Sequence, residues 1–226
     1  MAEGSVRSEV TSIRVSASSG RVKVVAEDRG DVLVRGDATV QHDAGTATVE
    51  AGGGRLEIRV PSGVDLVVGA DSGRVEVEGP LGVVAVVTES GRITVEQATA
   101  VDVRTSSGAV AIGRVEGSSR VRTDSGRVTV DETAGADVAT KSGRIDLRSV
   151  SGPTTAHCVS GRIDLRLDAA ADVEAETVSG RITVHVAEGV QARSVTGPLP
   201  ADLERHGTDC TIATRAVSGR VSVTSR

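Results

Sequence analysis

The chain contains no phenylalanine, tyrosine or tryptophan, and its one methionine is Met1. Aromatic rings normally supply much of the buried area of a globular core and of an interface. A chain of 226 residues without any needs a core of narrow, uniform section that Val, Ile, Leu, Ala and Thr can fill. A thin coil of β-strands has such a core. A Rossmann domain, a helix bundle or an immunoglobulin sandwich does not fit. The same lack removes the platforms on which single-stranded nucleic acid stacks, and it excludes sugar binding by ring stacking.

Other scarcities narrow the function further. Positive and negative residues are interspersed and the net charge is −5, so the basic excess of a nucleic-acid binder is missing. No stretch reaches the ~18 apolar residues of a membrane span. The segment Met1-Ala2-Glu3-Gly4-Ser5-Val6-Arg7 has no apolar run and does not read as a signal peptide. The expectation is a cytoplasmic protein, with a surface location requiring a tether or a longer chain. Lysine is limited to Lys23 and Lys141, so nearly all positive charge is guanidinium. The two cysteines, Cys158 and Cys210, are read as free thiols. Cys158 replaces a threonine of its repeat, and Cys210 falls about three repeats later, beyond the ~7 Å reach of a disulfide.

What the sequence has instead is one short string, repeated. Ser-Gly-Arg occurs eight times, with glycines at Gly20, Gly73, Gly91, Gly126, Gly143, Gly161, Gly180 and Gly219. Ser107-Gly108-Ala109 is a variant, and Gly54-Arg55 and Thr196-Gly197 are degenerate copies. From Gly54 to Gly180 the glycines advance by 19, 18, 17, 18, 17, 18 and 19 residues, and Gly219 follows after 39, about two repeats. After each glycine comes a strand of period two, such as Arg144-Ile145-Asp146-Leu147 or Arg181-Ile182-Thr183-Val184. Its aliphatic residues face in and its Arg and Thr or Asp face out. Before each glycine lies a second strand, such as Val121-Arg122-Thr123 or Val138-Ala139-Thr140. Glycine permits the positive φ of a tight corner, and the serine is placed to bond locally to the backbone.

One such unit cannot bury its own apolar face. Stacking units at about 4.8 Å joins the faces into one core. The expected fold is therefore all-β: a single-stranded β-solenoid (β-helix or β-roll) with coils of 17–19 residues. Roughly ten coils would make a rod on the order of 50 Å long. Residues 1–62 are less regular and are read as an N-terminal antiparallel β cap with entry strands. Residues 63–226 are read as the solenoid, in one continuous domain. Pro198-Leu199-Pro200-Ala201-Asp202-Leu203 breaks the pattern and reads as a loop or short cap.

The segment Leu56-Glu57-Ile58-Arg59-Val60-Pro61-Ser62-Gly63-Val64-Asp65-Leu66-Val67-Val68 precedes Asp71-Ser72-Gly73-Arg74-Val75-Glu76-Val77 and the later Thr-x-Ser-Gly-Arg-Ile/Val units. In this arrangement the chain resembles the bacterial "putative adhesin" family, domain of unknown function 4097. The resemblance implies a β-solenoid or β-roll and brings no catalytic residues with it.

Arg74, Arg92, Arg127, Arg144, Arg162 and Arg181 should form an exposed row, interrupted at Ala109. Like charges one strand apart repel by about 0.9 kcal/mol even in water. Glu76, Asp146 and Asp164 lie two residues on, and Asp71, Glu89 and Asp124 lie just before the Ser-Gly step. Two readings follow: a groove for a polyanion or acidic partner, and a self-neutralised, solvated ladder. The ladder is favoured, because exposed charge rows usually are this. Thr88, Thr105, Thr123, Thr140 and Thr177 form a column in the inward phase and read as a buried, hydrogen-bonded ladder rather than an ice-binding array.

No enzyme site stands out. His42, His157, His185 and His206 do not fall at metal-ligand spacing. The hexapeptide acyltransferases and carbonic anhydrases share an 18-residue coil, but their strict six-residue spacing and their histidines are missing. No cofactor, metal or small-molecule substrate is implied. The sequence reads as a non-enzymatic structural or protein-interaction scaffold, partnered by a protein or by itself end to end. A solenoid-fold enzyme or a polyanion-binding module is the alternative.

Overall fold

The structure is a computed structural model. It describes residues 2–6, 10–187, 192–196 and 210–225, with side chains for 10–187 and 210–224. Among these residues every regular element is a strand. The pattern break at 198–203, Gly197 and His206 lie outside the described residues. The chain divides into two compact units, Met1–Glu116 and Gly117–Arg226.

In the first unit the strands are β1 (Ala2–Val6), β2 (Ser12–Ala17), β3 (Arg21–Glu27), β4 (Val32–Gly36), β5 (Ala38–Asp43), β6 (Thr46–Ala51) and β7 (Arg55–Pro61), followed by the start of β8 (Asp65–Val150). β2 lies between β6 and residues 65–70 of β8, parallel to both. β3 lies between β7 and residues 74–78 of β8, again parallel to both. Residues 12–27 thus form a layer between 46–61 and 65–78, so the order of stacking is not the order of the chain. β4 runs antiparallel on β7, β1 antiparallel on β4, and β5 antiparallel on β6.

The antiparallel cap expected over residues 1–62 is therefore confined to β1, β4 and β5. β2, β3, β6 and β7 stack in parallel instead. The reason lies in Gly20-Arg21 and Gly54-Arg55, which carry the same turn as the later repeats. Residues 55–61 and 65–70 do not pair with each other, although a Pro-Ser-Gly turn joins them. Ser62 and Gly63 bond to the carbonyls of Glu27 and Pro80, which carries the chain past the intervening layer.

In the second unit the later part of β8 pairs with β9 (Thr154–Leu167), and β9 with β10 (Val173–Val186). β10 pairs with β12 (Cys210–Ser225), and β11 (Ala192–Thr196) lies on residues 210–214 of β12. All these pairings are parallel. Here too the stacking order departs from the chain order, because β12 joins β10 directly and β11 lies outside it.

Register explains the aliphatic core. Ile145, Ile163 and Ile182 are aligned across three neighbouring strands, as are Leu147, Leu165 and Val184. All six are fully buried. A buried Ile, Leu or Val contributes about 1.5–3 kcal/mol of apolar transfer, and repetition in register makes a continuous core without any ring.

Candidate interaction site: an arginine groove

The repeated turn is built by close approach of backbones. A Cβ placed on Gly143 would meet the carbonyl of Gly126, and Gly161 stands on Gly143, Gly180 on Gly161 and Gly219 on Gly180 in the same way. Each hypothetical contact falls well inside 3.0 Å, a distance that real Cβ atoms do not reach. Gly143 and Gly161 also hold φ of +146° and +151°, where a side chain adds strain. The first unit has its own ladder, with Gly20 on Gly54, Gly73 on Gly20, Gly91 on Gly73 and Gly108 on Gly91.

The threonine column completes the turn. The hydroxyls of Thr88, Thr105 and Thr123 donate to the carbonyls of Ser90, Ser107 and Ser125 at 3.1 Å, and Thr140 donates to Ser142 at 3.2 Å. These threonines are buried, as the inward phase required. The turn serine thus contributes its carbonyl, not its hydroxyl. Thr177 is also buried, but its hydroxyl has no partner.

The bend leaves a groove of about 830 Å³ in the second unit. It is lined by Arg127, Arg144, Arg162, Arg181 and Arg220, each with the glycine before it. Neighbours are in register: Arg144 opposite Arg162, Arg162 opposite Arg181, Arg181 opposite Arg220. Four of these were expected from the sequence. Arg220 was missing from the expected row because it lies 39 residues after Arg181, yet its Ser-Gly-Arg string was the available signal. Among the described residues none of the five makes a hydrogen bond or ion pair through its guanidinium. Asp146 and Asp164 occupy the position two residues on, but Asp146 faces Arg148 at 3.9 Å and neither carboxylate pairs with the row.

In the first unit the same row reads Arg55, Arg21, Arg74 by register, and the Gly91-on-Gly73 stack brings Arg92 next. Arg21 grips Glu76 with two hydrogen bonds of 2.8 Å, and Arg74 reaches the same carboxylate at 3.4 Å. Burial opposes the charge on Glu76, but the Arg21 bond and charge, helped by Arg74, hold its carboxyl below the ordinary glutamate value. Sequence proximity pairs Glu76 with Arg74, whereas the stronger partner is 55 residues away. Arg92 is exposed, and Ala109 interrupts the motif.

A second row flanks the turn in the second unit. The position before the serine holds Asp124, Lys141, Val159, Val178 and Val217 in successive layers. Lys141 and Asp124 pair at 2.8 Å. Val159 and Val178 are 50% exposed and Val217 70%.

The Toastrack DUF4097 family profile matches residues 7–223. The chain belongs to that family. The Toastrack chain is similar to the solved structure of a "putative adhesin" from Bacteroides fragilis. Identity is 13% and the TM-score 0.50, over 100% of this chain and 96% of that one. At that identity the likeness concerns the fold. A "putative cell adhesion protein" from Clostridium sporogenes aligns over 100% of this chain and 99% of its own at 9% identity, with a TM-score of 0.22, too low to bear on the argument. No curated relative matches the chain.

The other candidate groups of the Toastrack chain are dispersed. Cys158 and Cys210 are buried and free, and burial pushes the Cys158 thiol above its ordinary value despite backbone bonds from Gly143 and Ser160. Because β12 stacks directly on β10, Cys210 lies two strands from β9, not three repeats away. His157 sits 3.3 Å from Glu176, and His185 bonds Thr224 at 2.9 Å. Among the described residues no group of His, Cys, Asp or Glu is placed to hold a metal.

Proposed function

We propose that this Toastrack chain is a non-enzymatic interaction scaffold of adhesion type. Its strands form a single-stranded β-solenoid with coils of 17–19 residues that presents the same side chain at each successive layer. The carrying observation is the register of Arg127, Arg144, Arg162, Arg181 and Arg220. Groups repeated layer by layer can make one kind of contact many times. An enzyme needs unlike groups converging at one level. The test is capture from native host extract by the immobilised chain, beside an Arg127→Ala/Arg144→Ala/Arg162→Ala variant that melts as the parent does. A species retained by the parent and lost by the variant is expected. Identical capture by both overturns the role of the row.

End-to-end self-association is a second reading, favoured by the state of β12. Among the described residues, Ser218–Ser225 pairs only with β10. Val221 and Val223 are half-buried where their in-register counterparts Ile182 and Val184 are buried. An open strand edge is a template for another chain. Association through the β12 edges of two copies pairs the same surface on each and closes at a dimer. Sedimentation across a wide concentration range should show a monomer–dimer equilibrium. A monomer throughout overturns this reading.

A further inference from the structure

We infer that the groove of the second unit binds a linear, ring-free phosphate polymer, with inorganic polyphosphate as its chemical type. The inference rests on the scaffold reading above and names the ligand class of its row. Five guanidiniums stand in register at the strand spacing of about 4.8 Å, so the row runs roughly 19 Å along the stack. They face a groove of about 830 Å³. Among the described residues the protein supplies no carboxylate to any of the five, although two arginines of the first-unit row, Arg21 and Arg74, are held by Glu76. Repulsion along the row is therefore left for something else to neutralise.

The chemistry of the groove selects the ligand. A guanidinium presents parallel N–H donors that match the oxygens of a tetrahedral oxyanion two at a time. The groove floor is glycine at every layer, and the close backbone stacking admits no larger residue there. A chain of phosphates can thus lie against backbone without meeting a side chain. The whole protein contains no aromatic residue, so nucleobases and sugar rings find no stacking partner. A polymer recognised by closely spaced oxyanions alone fits what is present. Asp146 and Asp164 flank the row and favour a ligand whose charge is dense enough to outweigh them.

The experiment is a titration of the full chain with medium-length polyphosphate at low and at physiological salt. Parallel titrations use heparin, single-stranded DNA and poly-glutamate. The parent chain should bind polyphosphate more tightly than the other three polymers, and binding should weaken as salt rises. Arg144→Ala/Arg162→Ala/Arg181→Ala should lose at least about tenfold in affinity. Arg104→Ala/Arg166→Ala/Arg215→Ala removes equal charge outside the groove and should stay within about twofold. The Arg144→Lys/Arg162→Lys/Arg181→Lys variant keeps the charge and the fold while losing the forks, and should fall between. No binding by the parent, equal losses in the two alanine variants, or tighter binding of another polymer overturns the inference. A captured host partner that still depends on the row, with no polyphosphate binding, would overturn the ligand class and leave the scaffold standing.

Discussion

The two units use one turn to different electrostatic ends. Both stack glycine on glycine, as Gly91 on Gly73 in the first and Gly143 on Gly126 in the second. Both close the turn with a buried threonine bonded to the serine carbonyl, as Thr88 and Thr140 do. They part at the residue two beyond the glycine-arginine step. In the first unit Glu76 reaches Arg21 and Arg74. In the second, that offset holds Asp146 and Asp164 in two layers and Thr129, Thr183 and Ser222 in the other three, and the arginine row stays unpaired. The lesson is that the glycine ladder is common to both units, while closure of the row depends on the individual carboxylate: Glu76 reaches two arginines of the row, whereas Glu57 at the same offset bonds Arg59 instead.

The glycine ladder is the shared part, and breaking it should cost most. Gly91→Ala and Gly143→Ala each put a Cβ against a neighbouring carbonyl at positive φ, +135° and +146°. Each should destabilise by at least about 3 kcal/mol, combining backbone strain with a contact that forces layers apart. Urea unfolding should show lower midpoints for both variants. If one unit tolerates alanine and the other does not, the two ladders are not equivalent.

Exchanging the acids should move the difference from one unit to the other. Thr183 holds the position beyond Arg181 that Glu76 holds beyond Arg74. Thr183→Glu should close part of the open row and weaken polyphosphate binding about three- to tenfold. Glu76→Gln should release Arg21 and Arg74, which lie outside the groove, and leave polyphosphate affinity within about twofold. An unchanged titration for Thr183→Glu would mean that the pairing state does not govern the row.

Glu76 also marks the first unit by pH. Its carboxyl titrates lower in the folded chain than in the unfolded one. The associated stability is present above the unfolded glutamate value and is lost as pH falls through the lowered folded value. Asp137 in the second unit shows the same sign, held down first by its bond to Arg122, against burial, and then by Arg122 and Arg120 charge. Acid titration of stability should therefore flatten in part in Glu76→Gln and in part in Asp137→Asn. A profile unchanged by either substitution would show that these pairs do not contribute.

The repeat was legible because its cause is local. Glycine at 17- to 19-residue steps, joined in five copies by a threonine two residues before the serine, marks a repeated corner. The layer order was not legible. Gly20 and Gly54 carry interchangeable turns, so nothing in the string says that residues 12–27 lie between 46–61 and 65–78. The same ambiguity hid Arg220, whose strand lies between β10 and β11 although it follows β11 in the chain. It also hid the Arg21–Glu76 pair, because sequence distance is a poor guide to an ion pair set by stacking.

The smallest expected effect separates two threonines that the sequence cannot tell apart. Thr140 and Thr177 each precede their serine by two residues, and both are buried. Thr140 donates to Ser142 at 3.2 Å, whereas the Thr177 hydroxyl is unpartnered. Thr140→Val keeps the shape, removes a buried hydrogen bond and strands a carbonyl lone pair, so it should cost about 1 kcal/mol. Thr177→Val removes a hydroxyl that gains nothing from burial and should be neutral or stabilising by a few tenths of a kcal/mol, about what relief of an unmet polar group allows. Equal losses in the two variants would mean that the Thr177 hydroxyl is bonded in solution.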